Sequence, residues 1–85
     1  MTRVEIYSTQ LCAYCWRAKD LLDRKGIRYI EIDATMPDVY RAMMKRAGGA
    51  RSVPQIFIGD RHIGGSAELH DLDSSGGLDS MLEAG

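Results

Sequence analysis

Residues 3–26 have the sequence RVEIYSTQLCAYCWRAKDLLDRKG, and this stretch decides the fold. Apolar and polar side chains alternate at its start, which predicts a strand over residues 3–7. Apolar side chains then recur at spacings of three and four, which predicts a helix over residues 13–25. Cys12 and Cys15 therefore lie at a strand-to-helix turn.

The position of the two cysteines predicts a redox centre. A helix N-terminus carries unpaired N–H donors and about half a positive charge, so it favours a thiolate over a thiol. The thiolate is the nucleophile of disulfide chemistry. Because Cys15 lies one turn further into the helix, we expect it to be more buried. Cys12 is then expected to attack, and Cys15 to resolve the mixed disulfide.

Length, charge and cysteine content narrow the class of protein. The chain has 85 residues and 45% hydrophobic content, which predicts one small globular domain over residues 1–85. A net charge of −1 gives no sign of nucleic-acid binding. The sequence has no membrane-spanning run and no signal-peptide core at its start. Two neighbouring cysteines favour a catalytic dithiol in a reducing compartment, the cytoplasm, over a structural disulfide.

The middle of the chain continues an α/β pattern. A nearly continuous apolar run over residues 27–32 predicts a parallel strand that is buried on both faces. Thr35 is a candidate cap for a second helix, and Pro37 suits its first turn. The pair Gly48-Gly49 is expected to end this helix.

The last third of the chain predicts a hairpin and two helices. Residues 55–58 predict a third strand, and Gly59-Asp60 predicts a two-residue turn into a short antiparallel strand. Ser66 is the candidate cap of a third helix, and a short amphipathic helix follows residue 77. The predicted order is β-α-β-α-β-β-α with a terminal helical turn.

Two other features have alternative interpretations. The Cys-x-x-Cys spacing is half of many zinc sites, but the second half is missing, because His62 and His70 are the only histidines and are expected to be solvated. Pro54 either simply begins a strand or, in the cis form, turns the Val53 backbone toward the thiols. The residues alone do not decide between these two possibilities.

Three segments, in this order and spacing, together resemble the glutaredoxin family: Cys12-Ala13-Tyr14-Cys15, Ser52-Val53-Pro54-Gln55 and Gly64-Gly65-Ser66. The resemblance is strongest to the dithiol, bacterial glutaredoxin 3 type and covers nearly the whole chain. It implies a thioredoxin-like fold, in which a four-stranded mixed sheet has helices on both faces.

The resemblance also implies a glutathione-dependent thiol–disulfide oxidoreductase that reduces protein disulfides and protein–glutathione mixed disulfides. Glutathione is then a co-substrate, and no tightly bound cofactor is expected. The implied partners are glutathionylated or disulfide-containing proteins, with ribonucleotide reductase as a family-level candidate. A monomer without nucleic-acid or membrane partners is expected.

The motif match assigns roles to particular residues. Cys12 is the nucleophile, and Cys15 is the resolving thiol. The implied glutathione-binding residues are Tyr14, Arg51, Val53, Pro54 in the cis form, Gly65, Ser66 and Ala67.

The chain departs from the family's pattern at three positions. Ala13 replaces a frequent proline, Thr9 replaces a frequent lysine, and Ala67 replaces a frequent aspartate that meets the glutathione amino group. Arg51 is the best candidate to replace the missing cation, and Glu68 the missing carboxylate. Two further arginines, at positions 17 and 46, are expected to be solvated.

One alternative is a binding role. Cys12 from each of two protomers, with two glutathione thiols, would hold a bridging [2Fe–2S] cluster. The loss of proline at Ala13 favours this interpretation because it frees the loop. Cys15 opposes it, because it competes by forming the disulfide.

A second alternative is a thioredoxin-like reductant that is served by a flavoprotein reductase. The changes at Thr9 and Ala67 favour it, since both positions contact glutathione in the family. The presence of Tyr14 and of residues 64–66 opposes it.

Overall fold

The computed structural model describes residues 2–84 of the chain. The predicted order of strands and helices is confirmed: β1 (Val4–Ser8), α1 (Ala13–Arg24), β2 (Ile30–Asp33), α2 (Pro37–Arg46), β3 (Gln55–Ile58), β4 (Arg61–Gly64), α3 (Ser66–Ser74) and α4 (Gly77–Ala84).

The four strands form one mixed sheet in the order β2-β1-β3-β4. Strand β1 is parallel to β2 and antiparallel to β3, and β4 is antiparallel to β3. Tyr7, near the end of β1, pairs with Gln55, at the start of β3. The loop that follows residue 8 and the loop that precedes residue 55 therefore lie at the same end of these two central strands.

Helices cover both faces of this sheet, as expected. The core between the sheet and α1, α3 and α4 contains Val4, Ile6, Ala18, Leu21, Leu22, Ile56, Ile58, Leu69 and Leu78. The core on the α2 side contains Tyr7, Ala34, Met43, Ala47 and Phe57. Strand β3 serves both cores, because successive side chains of a strand point to opposite faces.

The prediction that the second strand is buried on both faces is wrong. Strand β2 begins only at Ile30 and lies at the edge of the sheet, where Ile30 is 50% exposed. Ile27 and Tyr29 pack against the first core from the segment that precedes the strand. The apolar run therefore reflects packing of a connecting segment as well as of a strand.

Two predicted helix caps are also wrong. Met36, not Thr35, occupies the cap position of α2, and the Thr35 hydroxyl instead donates to the Asp33 carboxylate at 2.6 Å. Gly65 occupies the cap position of α3, and Ser66 is the first helical residue. Helix α2 thus starts one residue later, and α3 one residue earlier, than the polar side chain suggested.

The hairpin between β3 and β4 is as predicted. Gly59 has a φ of +59°, in the left-handed region that favours glycine. This turn reverses the direction of the chain. Strand β4 therefore runs back along β3 and leads directly into the start of α3.

Candidate active site

Cys12 occupies the N-cap of α1 with an extended backbone (φ −144°, ψ 110°). The Cys15 N–H donates to the Cys12 sulfur at 3.2 Å. The first N–H groups of a helix have no partner within the helix, so this sulfur takes the place of an ordinary capping oxygen. The donor is already aimed at the atom on which negative charge develops when the thiol ionises.

Cys15 is fully buried, as expected from its position in the helix, whereas Cys12 is only half-buried. Burial, with the hydrogen bond to Cys12 as a second cause, raises the pKa of the Cys15 thiol to about 11. The Thr9 backbone and the Lys19 charge oppose this rise. At neutral pH Cys15 is therefore a protonated thiol beneath a more accessible one.

The Val53-Pro54 peptide bond is cis, as the resemblance implied. The Cys12 thiol points at the Val53 carbonyl with 3.7 Å between the sulfur and the oxygen, a contact for a weak S–H donor. The Gln55 side-chain amide donates to the Ser52 carbonyl at 2.9 Å. This bond holds the loop that brings Val53 to the thiol.

A pocket of about 200 Å³ lies beside this loop and is lined by Tyr14, Arg17, Ser66, Ala67 and His70. Three of the residues predicted to bind glutathione thus share one pocket. Gly65 lies next to them, and a Cβ at that position would come within 3.4 Å of the Pro54 carbonyl.

Arg51 is exposed, and its carbonyl accepts a bond from the Tyr40 hydroxyl at 2.6 Å. The structure therefore anchors its backbone close to Val53 in sequence but does not bring its side chain into the pocket. Arg46 is exposed, as expected. Its guanidinium lies 4.0 Å from the centre of the Phe57 ring and pairs with Glu5 at 2.7 Å.

The Glu68 carboxylate does not take the place of the aspartate that is missing at position 67. It accepts a hydrogen bond from the Gly65 N–H at 2.7 Å and thereby caps α3. It lines a different groove, together with Arg61 and Asp71. The pocket that contains Ala67 has no acidic residue among its lining side chains.

Two residues of this pocket were missed by the sequence analysis. Arg17 is exposed, as expected, and its guanidinium lies 5.8 Å from the centre of the Tyr14 ring. His70 was also expected to be solvated, but its Nδ1 donates to the Ser66 carbonyl at 2.7 Å. The spacing of four residues between Ser66 and His70 on one helix was the available signal.

His62 is exposed, as expected, but its side chain is held by two contacts. Its ring stacks on Phe57 with 4.9 Å between ring centres, and its Nε2 bonds the Gln55 side-chain oxygen at 2.6 Å. His62 is thus connected to the loop that carries Val53, and it is a structural residue of the sheet edge.

Residues 2–84 include no group of three or more His, Cys, Asp or Glu side chains that could together hold a metal ion. A cluster would therefore need ligands from outside this chain, as the bridging alternative supposes. No contact of the described residues favours that alternative. In the same part of the chain, no helix combines the length and apolar character needed to cross a membrane.

The mixed sheet, the helix-capping Cys12 and the buried Cys15 define a thiol oxidoreductase with a thioredoxin-like fold. The comparisons with known proteins give the family. The glutaredoxin family model matches residues 4–63, and the chain belongs to the glutaredoxin family.

Relatives and solved structures agree with this assignment. The chain is 45% identical over 83 residues to glutaredoxin 3 of Escherichia coli, covering 98% of this chain and 100% of that protein. The solution structure of glutaredoxin from Brucella melitensis matches with a TM-score of 0.85 and 47% identity, covering 96% of this chain and 89% of that one. A buckwheat glutaredoxin–glutathione complex matches with a TM-score of 0.87 and 33% identity, covering 98% and 78%.

Proposed function

We propose that this protein is a glutathione-dependent thiol–disulfide oxidoreductase that reduces protein–glutathione mixed disulfides and protein disulfides. The observation that carries the proposal is that two thiols with different burial lie together at the start of α1. Cys12 is half-buried and accepts the Cys15 N–H, and Cys15 is buried beneath it.

The first reaction uses Cys12 alone. The Cys12 thiolate attacks the glutathione sulfur of a mixed disulfide, and the protein thiolate leaves and takes up a proton. Cys12 now carries glutathione in a new disulfide. The thiolate of a second glutathione attacks that glutathione sulfur, releases glutathione disulfide and restores the Cys12 thiolate, which the Cys15 N–H stabilises.

The second reaction uses both cysteines. Cys12 attacks a protein disulfide and forms a mixed disulfide with one of its sulfurs. The Cys15 thiolate then attacks the Cys12 sulfur, so that the client sulfur leaves as a thiolate and the Cys12–Cys15 disulfide forms. Two electrons have moved to the client, and two glutathione molecules return them to the enzyme.

Glutathione is held by the residues around the pocket and the cis-proline loop. The Val53 backbone, which lies beside the Cys12 sulfur, pairs with the backbone of the tripeptide. The γ-glutamyl carboxylate of glutathione lies at the free N–H groups at the start of α3, where Gly65, Ser66 and Ala67 are placed. The glutathione complex of the buckwheat glutaredoxin supports this proposal.

The clients are glutathionylated or disulfide-containing proteins, and ribonucleotide reductase is a candidate at the level of the family. Leu11, Tyr14 and Trp16 are exposed large hydrophobic residues that flank the dithiol. Such a surface suits a client segment around a disulfide. The proposed setting is the cytoplasm, where thiols are kept reduced.

The test compares the two electron donors directly. We expect turnover of a glutathionylated peptide with glutathione, glutathione reductase and NADPH, and little turnover with thioredoxin reductase and NADPH. Faster turnover with thioredoxin reductase would favour the thioredoxin-like alternative and would contradict the proposal.

A further inference from the structure

Lys19 lies one helical turn after Cys15 on α1, and its side chain is only 25% exposed. Its ammonium group bonds the Glu31 carboxylate at 2.8 Å. The same carboxylate oxygen accepts a hydrogen bond from the Ser8 hydroxyl at 2.6 Å. Three different elements, α1, β1 and β2, thus fix the position of one ammonium group.

Two members of the cluster of Ser8, Lys19 and Glu31 flank the dithiol in the sequence: Ser8 lies four residues before Cys12, and Lys19 four residues after Cys15. Ser8 is buried and is followed directly by Thr9, whose backbone lowers the pKa of the Cys15 thiol. Residues at spacings of four lie on the same face of a helix, so Lys19 follows Cys15 on its own face. Lys19, whose ammonium group is anchored, therefore lies one helical turn from the buried Cys15 on the same face of α1.

Both partners of the ion pair stay charged over the working range of the enzyme. The hydrogen bond to Glu31 raises the pKa of Lys19, and the bond from Lys19 lowers the pKa of Glu31. Burial raises the pKa of Cys15, and the Lys19 charge is one of two influences that oppose the rise. The other titratable groups around this cluster are Cys12, Asp20, Asp23, Tyr29 and Asp33.

We propose that Lys19, anchored by Glu31 and Ser8, is a positioning residue that supplies the positive charge needed when Cys15 resolves the mixed disulfide. This proposal rests on the proposed function. In that step Cys15 gives up its proton, the Cys15 thiolate attacks the Cys12 sulfur, and the client sulfur departs and takes up the proton. Lys19 keeps its proton throughout and acts on the Cys15 thiolate by charge alone. The first attack, by Cys12, does not depend on it.

The test separates the two steps with an aromatic disulfide, 5,5′-dithiobis(2-nitrobenzoate), followed by stopped-flow absorbance. Cys12 releases the first coloured thiolate in a phase that depends on reagent concentration. Cys15 releases the second in a phase that does not. We expect Lys19→Met to slow only the second phase and Lys19→Arg to restore it.

The expected slowing of the second phase follows from how the reactivity of a thiolate depends on its pKa. A tenfold smaller thiolate fraction slows the step only about threefold, because the more basic thiolate is also the better nucleophile. Lys25→Met is the matched control, since Lys25 is also 25% exposed and pairs with Asp73, away from the dithiol. If Lys19→Met left the second phase unchanged, or if Lys25→Met slowed it equally, the proposal would be overturned.

A second measurement does not need turnover. In a Cys12→Ser background, the ¹³Cβ shift of Cys15 reports the pH at which this thiol ionises. We expect Lys19→Met to move that midpoint to higher pH and Lys25→Met to leave it in place. An unmoved midpoint overturns the proposal, whereas failure of the glutathione assay with a moved midpoint contradicts only the proposed function.

Discussion

Cys12 and Cys15 differ in chemistry because one caps a helix and the other lies inside its first turn. The Cys12 sulfur accepts a backbone N–H, while the Cys15 sulfur is surrounded by protein. The difference was predictable from the sequence, since Cys15 shares a helix face with the apolar residues Ala18 and Leu22 at spacings of three and four. The contribution of Lys19 was not, because it depends on where β2 places Glu31.

The raised pKa of Cys15 makes the stability of the protein depend on pH in the alkaline range. The folded state keeps the Cys15 proton up to about pH 11, whereas the unfolded chain loses it near 9.0. Between these values the folded state binds more protons, so its stability is complete below about pH 9 and falls as pH rises toward 11. Urea unfolding of the reduced protein at pH 8 and pH 10.5 measures this loss.

The control for that experiment is Cys15→Ala, which retains the other alkaline groups. Its free energy of unfolding should fall less between the two pH values than that of the unchanged protein. Equal losses in the two proteins would show that Cys15 ionises normally in the folded state.

Ala67 lies in a pocket without an acidic lining residue, although the family often has aspartate at this position. Ala67→Asp should therefore lower the KM for glutathione, because a charge-assisted bond to its amino group is worth about 1.5–3 kcal/mol, or about one to two decades. Ala67→Asn is the uncharged control and should gain much less. An unchanged KM in Ala67→Asp would place the amino group elsewhere.

At the scale of elements, helix α3 shows how local signals mislead about a helix start. Ser66 looked like the cap, but Gly65 takes that position and the Glu68 side chain bonds its N–H. The polar side chain nearest the start of a pattern is a good guide to within one residue only.

Glu68→Ala tests this assignment. Loss of a capping bond should lower the free energy of unfolding by about 1 kcal/mol, while the KM for glutathione stays nearly constant. Asp71→Ala, an exposed acidic residue on the same helix, is the control and should change stability less. A large rise in KM for Glu68→Ala would show instead that this carboxylate binds glutathione.

Strand β2 marks the limit of what the pattern of apolar residues can predict. The existence and parallel pairing of the strand followed from the pattern, but its edge position did not. Ile30 is half exposed because β2 has only β1 as a neighbour. The number of neighbours of a strand depends on the whole sheet, so it is not a property of the six residues that predicted the strand.

At the scale of the molecule, two cores on opposite faces of one sheet hold the site in place. The first core joins β1 and α1, which carry the dithiol, to α3, which carries the pocket. Lys25 adds a polar link from the end of α1 to Asp73 at 2.7 Å and Asp79 at 3.1 Å. The overall order of elements was predictable from the sequence, whereas these long-range links were not.

Leu78 tests the part that the last helix plays in this core, where it is fully buried. Leu78→Ala should cost about 2–5 kcal/mol of unfolding free energy, since a buried leucine leaves a cavity. Leu11→Ala is the matched control, because Leu11 is fully exposed and its loss should change stability by about 0.5 kcal/mol or less. Similar small losses in both variants would show that α4 contributes little to the core.

The most direct test of the central claim, that Cys12 is the glutathione-linked nucleophile, is turnover of a glutathionylated peptide by single-cysteine variants. Glutathione, glutathione reductase and NADPH complete the assay. Cys12→Ser should fall to the background rate, and Cys15→Ser should retain most of the activity while losing reduction of protein disulfides. Retained activity in Cys12→Ser would contradict the account.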